Sequence, residues 1–304
     1  MILVHGIAQE QTSSDRLEDE WIQDLAGGVR SAGYGELADQ IRLGRFHAGI
    51  KARMAYYADL FLVPGQMGAK LNDLSQTELE IATPLAREWL ERAAIRSGHS
   101  VQQQTAVQQL ALVDGQTGEE QGLAQYGRPA LNALAKIAWF APFGFWFAQT
   151  FVVRALKQVS QYFSDAETRE AAISRVLNLI DKDTKVIIAH SLGSIVAYEA
   201  VCRAQIPIPF LITMGSPLGL ETIIYQRLLP QPPIYPREVR RWVNIYDPDD
   251  LIAAEPDLRA RFSTDKPTGA GMESFIVDCD AMPHEASRYL CKSEVGRIVA
   301  QALA

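Results

Sequence analysis

Cysteine is scarce in this chain: three in 304 residues, at Cys202, Cys279 and Cys291. An odd count with no paired spacing excludes a disulfide framework and predicts reduced thiols, with Cys202 buried on a helix. Basic residues are in deficit, 29 Lys and Arg against 36 Asp and Glu, for a formal net charge of −7. That balance lacks the positive footprint with which nucleic-acid binders displace counterions, so no nucleic-acid partner is expected. No apolar run reaches the ~20 residues that a membrane-spanning helix needs. The N-terminal residues are already strand-like, without a basic region, an apolar stretch and a small-residue cleavage site, which predicts a cytoplasmic protein without a signal peptide. No internal repeat is visible. Histidine is scarce as well, with five in all, and this last scarcity narrows the chemistry most.

What the chain does have is apolar runs alternating with amphipathic stretches. With 48% hydrophobic residues, a chain of this length can bury one large core, and a single domain over 1–304 is expected. Near-continuous apolar strands between helical patterns predict an α/β fold, a mostly parallel sheet covered by helices on both faces. Asp15 and Glu18 read as a capping box before a helix with Leu17, Trp21, Leu25 and Val29 on one side, ended by Gly33 and Gly35. A second strand falls within Ala52 to Tyr57. From Thr168 onward Ile173, Val176, Leu177 and Ile180 keep the spacing of a core-facing helix, as do Val295, Ile298, Val299 and Ala302 at the end of the chain.

The most informative segment is Val186-Ile187-Ile188-Ala189-His190-Ser191-Leu192-Gly193. An apolar strand, a sharp turn carrying a serine and a helix from Ile195 to Ala204 form the context of a nucleophile elbow. The tight turn needs small residues two before and two after the serine, and Ala189 and Gly193 supply them. Ser191 is the expected nucleophile. A serine hydroxyl needs a histidine to take its proton and an acid to hold that histidine. In this context the histidine follows the serine in the chain. His5, His47, His99 and His190 all precede Ser191, which leaves His284, after Pro283 in a loop. The acid is expected where the apolar run Trp242-Val243-Asn244-Ile245 ends in Asp247, Asp249 and Asp250, because strands of a parallel sheet deliver ligands at their C-terminal ends. Asp250 is preferred, since Leu251 and Ile252 can tuck back and fix its direction, whereas Asp247-Pro248 reads as the start of a turn. Asp247 stays an alternative, as do Asp278 and Asp280. Two backbone N–H groups complete such a site by holding an oxyanion. Leu192 follows the serine, and Ile7 follows the run Leu3-Val4-His5-Gly6, where Gly6 lets the chain turn and His5 serves geometry rather than proton transfer.

With these residues assembled, the chain resembles the lipase-like branch of the α/β-hydrolase superfamily. The resemblance rests on Leu3-Val4-His5-Gly6, Ile188-Ala189-His190-Ser191-Leu192-Gly193, Thr213-Met214-Gly215-Ser216-Pro217-Leu218-Gly219, and the acid and His284 segments. It implies an α/β-hydrolase fold with a helical cap or lid inserted over roughly 65–165, and a structural role for Ser216. Within that insertion, Val101 to Gln125 is rich in Gln and Gly and suggests solvated helix and loop. Residues 137–153 are uncharged and strongly aromatic, with Pro142 and Gly144 breaking the run. They are expected to wall an acyl pocket through Phe143, Phe145, Trp146 and Phe147, or to rest peripherally on a lipid surface; a buried core helix is the competing reading. The expected activity is that of a serine esterase or lipase acting on small-molecule or lipid esters with a hydrophobic acyl or alcohol part, with no cofactor and no metal. A thioesterase or acyltransferase shares every catalytic residue. A non-catalytic scaffold that binds lipid or a partner has no need to keep all of them.

Overall fold

The structure is a computed structural model that describes residues 1–44, 49–62, 74–96, 100–115, 133–134, 145–221, 223–253, 257–280 and 282–304. The chain divides into two compact units, one made of 1–60 and 170–304, the other of 61–169.

In the first unit six parallel strands form one sheet in the order β2-β1-β3-β4-β5-β6. They are β1 (Ile2–Val4), β2 (Arg53–Ala55), β3 (Val186–His190), β4 (Ile208–Met214), β5 (Val239–Tyr246) and β6 (Gly271–Ile276). The central strand β3 is buried along its whole length, as expected for a strand with helices on both faces. On one face Leu3, Ile188, Ile212 and Val243 pack against α1 (Ser14–Ser31), α2 (Gly35–Leu43) and the C-terminal helix, which contributes Val295, Ile298, Val299 and Ala302. The intervening residues of the same strands point the other way. On that face Tyr198 lies 5.7 Å from Trp242, carried by the helix Leu192–Arg203 that follows β3. Trp242 Nε1 donates to Thr213 Oγ1 at 3.0 Å, so its buried N–H is satisfied.

Several local expectations are corrected. The cap of α1 is Ser13, whose side chain accepts from the Arg16 N–H. Glu18 does not close a capping box: it is buried and accepts the Met54 N–H of edge strand β2 at 2.8 Å, a backbone donor that the sheet leaves without a ladder partner. Gly35 opens α2 instead of ending α1. The helix after β3 begins at Leu192, three residues earlier than its apolar pattern suggests. Ile180 lies beyond the end of the helix Ala166–Leu177, and Cys202 is half-buried.

The second unit is helical among its described residues. In chain order it contains α3 (Gln76–Arg96), α4 (Ser100–Gly115) and α5 (Phe145–Ser164). A reciprocal capping box starts α3: the Ser75 N–H donates to Glu78 Oε2 at 2.7 Å and the Glu78 N–H to Ser75 Oγ at 3.2 Å. Helix α3 packs against α4 and α5, burying Leu85, Trp89 and Leu90 together with Val152, Leu156 and Val159 on α5. The remaining helices are α6 (Ala166–Leu177), α7 (Leu192–Arg203), α8 (Ala286–Leu290) and α9 (Ser293–Leu303). Among the described residues no helix is long and apolar enough to cross a membrane.

Candidate active site

Because every strand runs the same way, the chain leaves β1, β3, β4, β5 and β6 at one edge of the sheet. Gly6, Ser191, Gly215, Asp247, Asp250 and His284 follow those strand ends.

Ser191 leaves β3 with φ 53° and ψ −129°, a backbone region that non-glycine residues rarely occupy and that costs about 1–3 kcal/mol. Its conformation is held from both sides. The Ser191 N–H donates to Met214 O at 3.1 Å. Its carbonyl accepts from Ser194 Oγ at 2.6 Å, and Ser194 Oγ is in turn 2.7 Å from Ser216 Oγ. Ser216 thus serves as a buried brace under the turn. Gly193 is small for a different reason from the one its spacing suggests: a Cβ there would overlap His5 O and Val4 O, so α7 is pressed against the end of the neighbouring strand β1.

The Ser191 hydroxyl is 2.9 Å from His284 Nε2. On the other side of the ring, His284 Nδ1 lies 2.8 and 3.0 Å from the two carboxylate oxygens of Asp250. His284 keeps 11% side-chain exposure while Asp250 has none. Asp250 Oδ1 also accepts the N–H groups of Ile252 at 3.0 Å and Ala253 at 3.2 Å. The tuck of Leu251 and Ile252, both buried, therefore aims the carboxylate through its own backbone.

The other three aspartates have other surroundings. Asp247 starts a turn, its carbonyl accepting the Asp250 N–H at 3.0 Å. Its carboxylate accepts the Asp249 N–H at 2.7 Å and the Cys279 N–H at 2.5 Å, tying the end of β5 to the chain after β6. Burial pushes its carboxyl above the usual range. Asp278 and Asp280 are exposed. Of the four candidate acids, the structure brings Asp250 to His284.

The loop after β1 passes directly over the serine. A Cβ on Gly6 would come 2.8 Å from Ser191 Cβ and 3.1 Å from His190 Nδ1. This approach explains the glycine; Ile7 follows Gly6 in the chain, and Leu192 follows Ser191. His5 is 1% exposed. Its Nδ1 is 2.7 Å from Gly6 O and its Nε2 accepts the Tyr57 N–H at 3.0 Å. The Tyr57 hydroxyl donates to His5 O at 2.6 Å, and the two rings stack with centroids 4.2 Å apart. Both nitrogens of His5 are thus fixed on backbone groups as a neutral tautomer, and burial lowers its pKa to about 4.

Three participants escaped sequence reasoning. Gly215, at φ 52°, lies where a Cβ would come 2.8 Å from Asp250 Oδ2 and 3.2 Å from His284 Nδ1. His190 sits with its ring centroid 4.7 Å from that of His284. Its buried Nε2 has no hydrogen-bond partner among the described residues. Burial, and then the neighbouring His284, hold His190 neutral, well below the ordinary histidine range. Tyr289 donates its hydroxyl to Asp250 Oδ2 at 2.9 Å. Gly215 and His190 each stood within a segment that carries the resemblance, whereas Tyr289 carried no prior signal.

Of the residues expected to bind substrate, Phe143 lies outside the described residues. Phe145, Trp146 and Phe147 fall on the first turn of α5, where the backbone alone is described. Among the described residues no group of three or more His, Cys, Asp or Glu side chains is placed to hold a metal ion. No protein-family model matches this chain, and no curated protein or solved structure does either.

Proposed function

We propose that the protein is a serine hydrolase of the α/β-hydrolase type that cleaves carboxylic esters through an acyl-enzyme. The observation that carries this reading is the unbroken hydrogen-bond chain Ser191–His284–Asp250 behind a serine at positive φ. A buried serine of ordinary structural role has no need of a strained backbone, of a histidine on its hydroxyl that keeps a little solvent exposure, or of a buried carboxylate aimed at the far side of that histidine.

The chemistry follows from the geometry. His284 Nε2 accepts the hydroxyl proton as Ser191 Oγ attacks the ester carbonyl carbon. Charge moves onto the carbonyl oxygen, where the N–H groups of Ile7 and Leu192 are the proposed donors; such donors act without reorganising at the moment of reaction. Asp250 holds His284 in the tautomer with Nδ1–H and stabilises the cation formed when Nε2 gains the proton. The tetrahedral intermediate collapses with return of the ester carbonyl, and His284 gives its proton to the departing alcohol. Water then repeats the sequence on the acyl-serine and regenerates Ser191. The neutral His190 and His5 take no part in proton transfer. The preference for a hydrophobic acyl or alcohol part rests on the sequence of residues 137–153.

A fluorophosphonate probe is expected to label the wild-type protein and to leave Ser191→Ala unlabelled, and p-nitrophenyl esters of increasing chain length are expected to be turned over with a preference for the longer acyl groups. Equal labelling of both proteins would remove the nucleophile. Turnover confined to acetate would remove the hydrophobic substrate while leaving the nucleophile in place.

A further inference from the structure

The hydroxyl of Tyr289 is in an unusual position for a core tyrosine. Its ring is fully buried on the short helix α8, five residues after His284. The oxygen accepts the Asp247 N–H at 3.0 Å and lies 2.9 Å from Asp250 Oδ2. A phenol has one proton to give. With the Asp247 amide on its acceptor side, that proton is directed at the carboxylate oxygen that also receives His284 Nδ1 at 2.8 Å. The hydroxyl therefore joins the turn that starts at Asp247 to the acid that ends it, and both to the segment that carries His284. Burial, with the charge of Asp250 beside it, keeps the phenol protonated, well above the ordinary tyrosine range.

We infer that Tyr289 is a positioning residue that locks the Asp250 carboxylate onto His284, a role that rests on the reading of these two residues as acid and base. The argument is geometric. The two backbone donors, Ile252 and Ala253, both bind Oδ1. They hold one oxygen; turning about the Cβ–Cγ bond moves both oxygens, and donors on Oδ1 alone oppose that turn from one side of the carboxylate only. Besides His284 itself, the Tyr289 hydroxyl is the donor that holds Oδ2 from the other side. A residue filling only core space has no reason to be a tyrosine here, since Phe occupies the same volume without a polar atom to satisfy.

The test is Tyr289→Phe, read in two ways. In proton NMR the Nδ1–H of His284, identified by its disappearance in His284→Ala, is expected as a protected downfield resonance in the wild type. In the variant it exchanges with water about tenfold faster, the loss expected for one charge-assisted hydrogen bond. In fluorophosphonate labelling the maximal inactivation rate is expected to fall about tenfold while the probe concentration for half-maximal rate is unchanged. Exchange at the wild-type rate in the variant, or no protected resonance in the wild type, overturns the positioning role. Failure of the wild type to label overturns the hydrolase reading instead, and the exchange measurement then decides Tyr289 by itself. If Tyr289→Phe does not fold, replacing Tyr289 by 3-fluorotyrosine keeps the ring and hydroxyl while making the hydroxyl a stronger donor. A displaced Nδ1–H resonance is then expected, and an unmoved one overturns the inference.

Discussion

The two stretches of chain that flank Ser191 each contribute a histidine, and the two are treated in opposite ways. In the loop after β1, His5 has both nitrogens engaged by backbone groups and a tyrosine ring stacked on its face. In the segment after β6, His284 has side chains on both nitrogens, a carboxylate on one and a hydroxyl on the other. Backbone partners with one fixed donor and one fixed acceptor make a second protonation unfavourable, so His5 is a strut that presents Gly6 and Ile7. On the proposed reading, a carboxylate on one nitrogen and a hydroxyl on the other let the His284 ring carry a proton. The difference lies in what each ring touches, because residue type does not separate them.

The same contrast divides the two buried aspartates of one turn, and the largest expected effect tests it. Asp250→Asn is expected to lower turnover of a p-nitrophenyl ester by about 10⁴, since an amide no longer fixes the histidine tautomer. Asp247→Asn is expected to change turnover by less than about tenfold. It should lower unfolding free energy by about 1–3 kcal/mol through its weakened bonds to the Cys279 and Asp249 N–H groups. Turnover and urea denaturation on the same two variants give the ranking, and the reverse order would exchange the roles of the two acids.

The parts of this site legible in the sequence were those whose chemistry is written in residue type and chain order. Ser191 stood at a strand-to-helix turn, His284 was the one histidine after it, and Asp250 preceded two apolar residues. What stayed hidden depends on tertiary approach. Tyr289 is one of ten tyrosines, and nothing local distinguishes a ring whose hydroxyl will meet a carboxylate 39 residues away. His190 looked like part of a motif, yet its place is fixed by the β3–β4 register, which pairs it with Met214 just before Gly215. Glu18 misled because a carboxylate near a helix start resembles a cap until edge strand β2 offers it the Met54 amide. The parallel sheet itself was readable because uninterrupted apolar runs leave few alternatives. In residues 61–169 the Ser75–Glu78 cap was equally local and still went unread, since no strand-helix alternation surrounds it.

A smaller effect sharpens the contrast on the His284 side. Gly215→Ala places a methyl group against Asp250 Oδ2, His190 Nε2 and His284 Nδ1 at once. It also asks a non-glycine residue to hold φ 52°. Displacement of the acid and base by a fraction of an ångström is expected to lower turnover by about 10², in line with the cost of small misplacements at reacting groups. Far-UV circular dichroism should be unchanged. Wild-type turnover in Gly215→Ala would show that the space beside Asp250 is slack.

The smallest effect concerns the strut, and it appears in stability. His5 has its pKa lowered from 6.5 to about 4 by burial, so the folded state binds its proton less readily than the unfolded chain. The stabilisation from keeping the ring neutral is present above pH 6.5 and is lost as pH falls from 6.5 toward 4, where it levels off. A shift of that size corresponds to about 2 kcal/mol lost between pH 7 and pH 5. His190, also held neutral by burial, adds to the same slope. Replacing the ring by a side chain that does not titrate separates the two. His5→Asn is expected to be less stable than the wild type at pH 7, because the acceptor for the Tyr57 N–H is lost. Its unfolding free energy should nevertheless fall less steeply between pH 7 and pH 5, by about the His5 share. Urea denaturation at half-unit pH steps measures both slopes. Parallel curves would mean that His5 titrates in the fold as it does in water, and the backbone partners would then not be what separates it from His284.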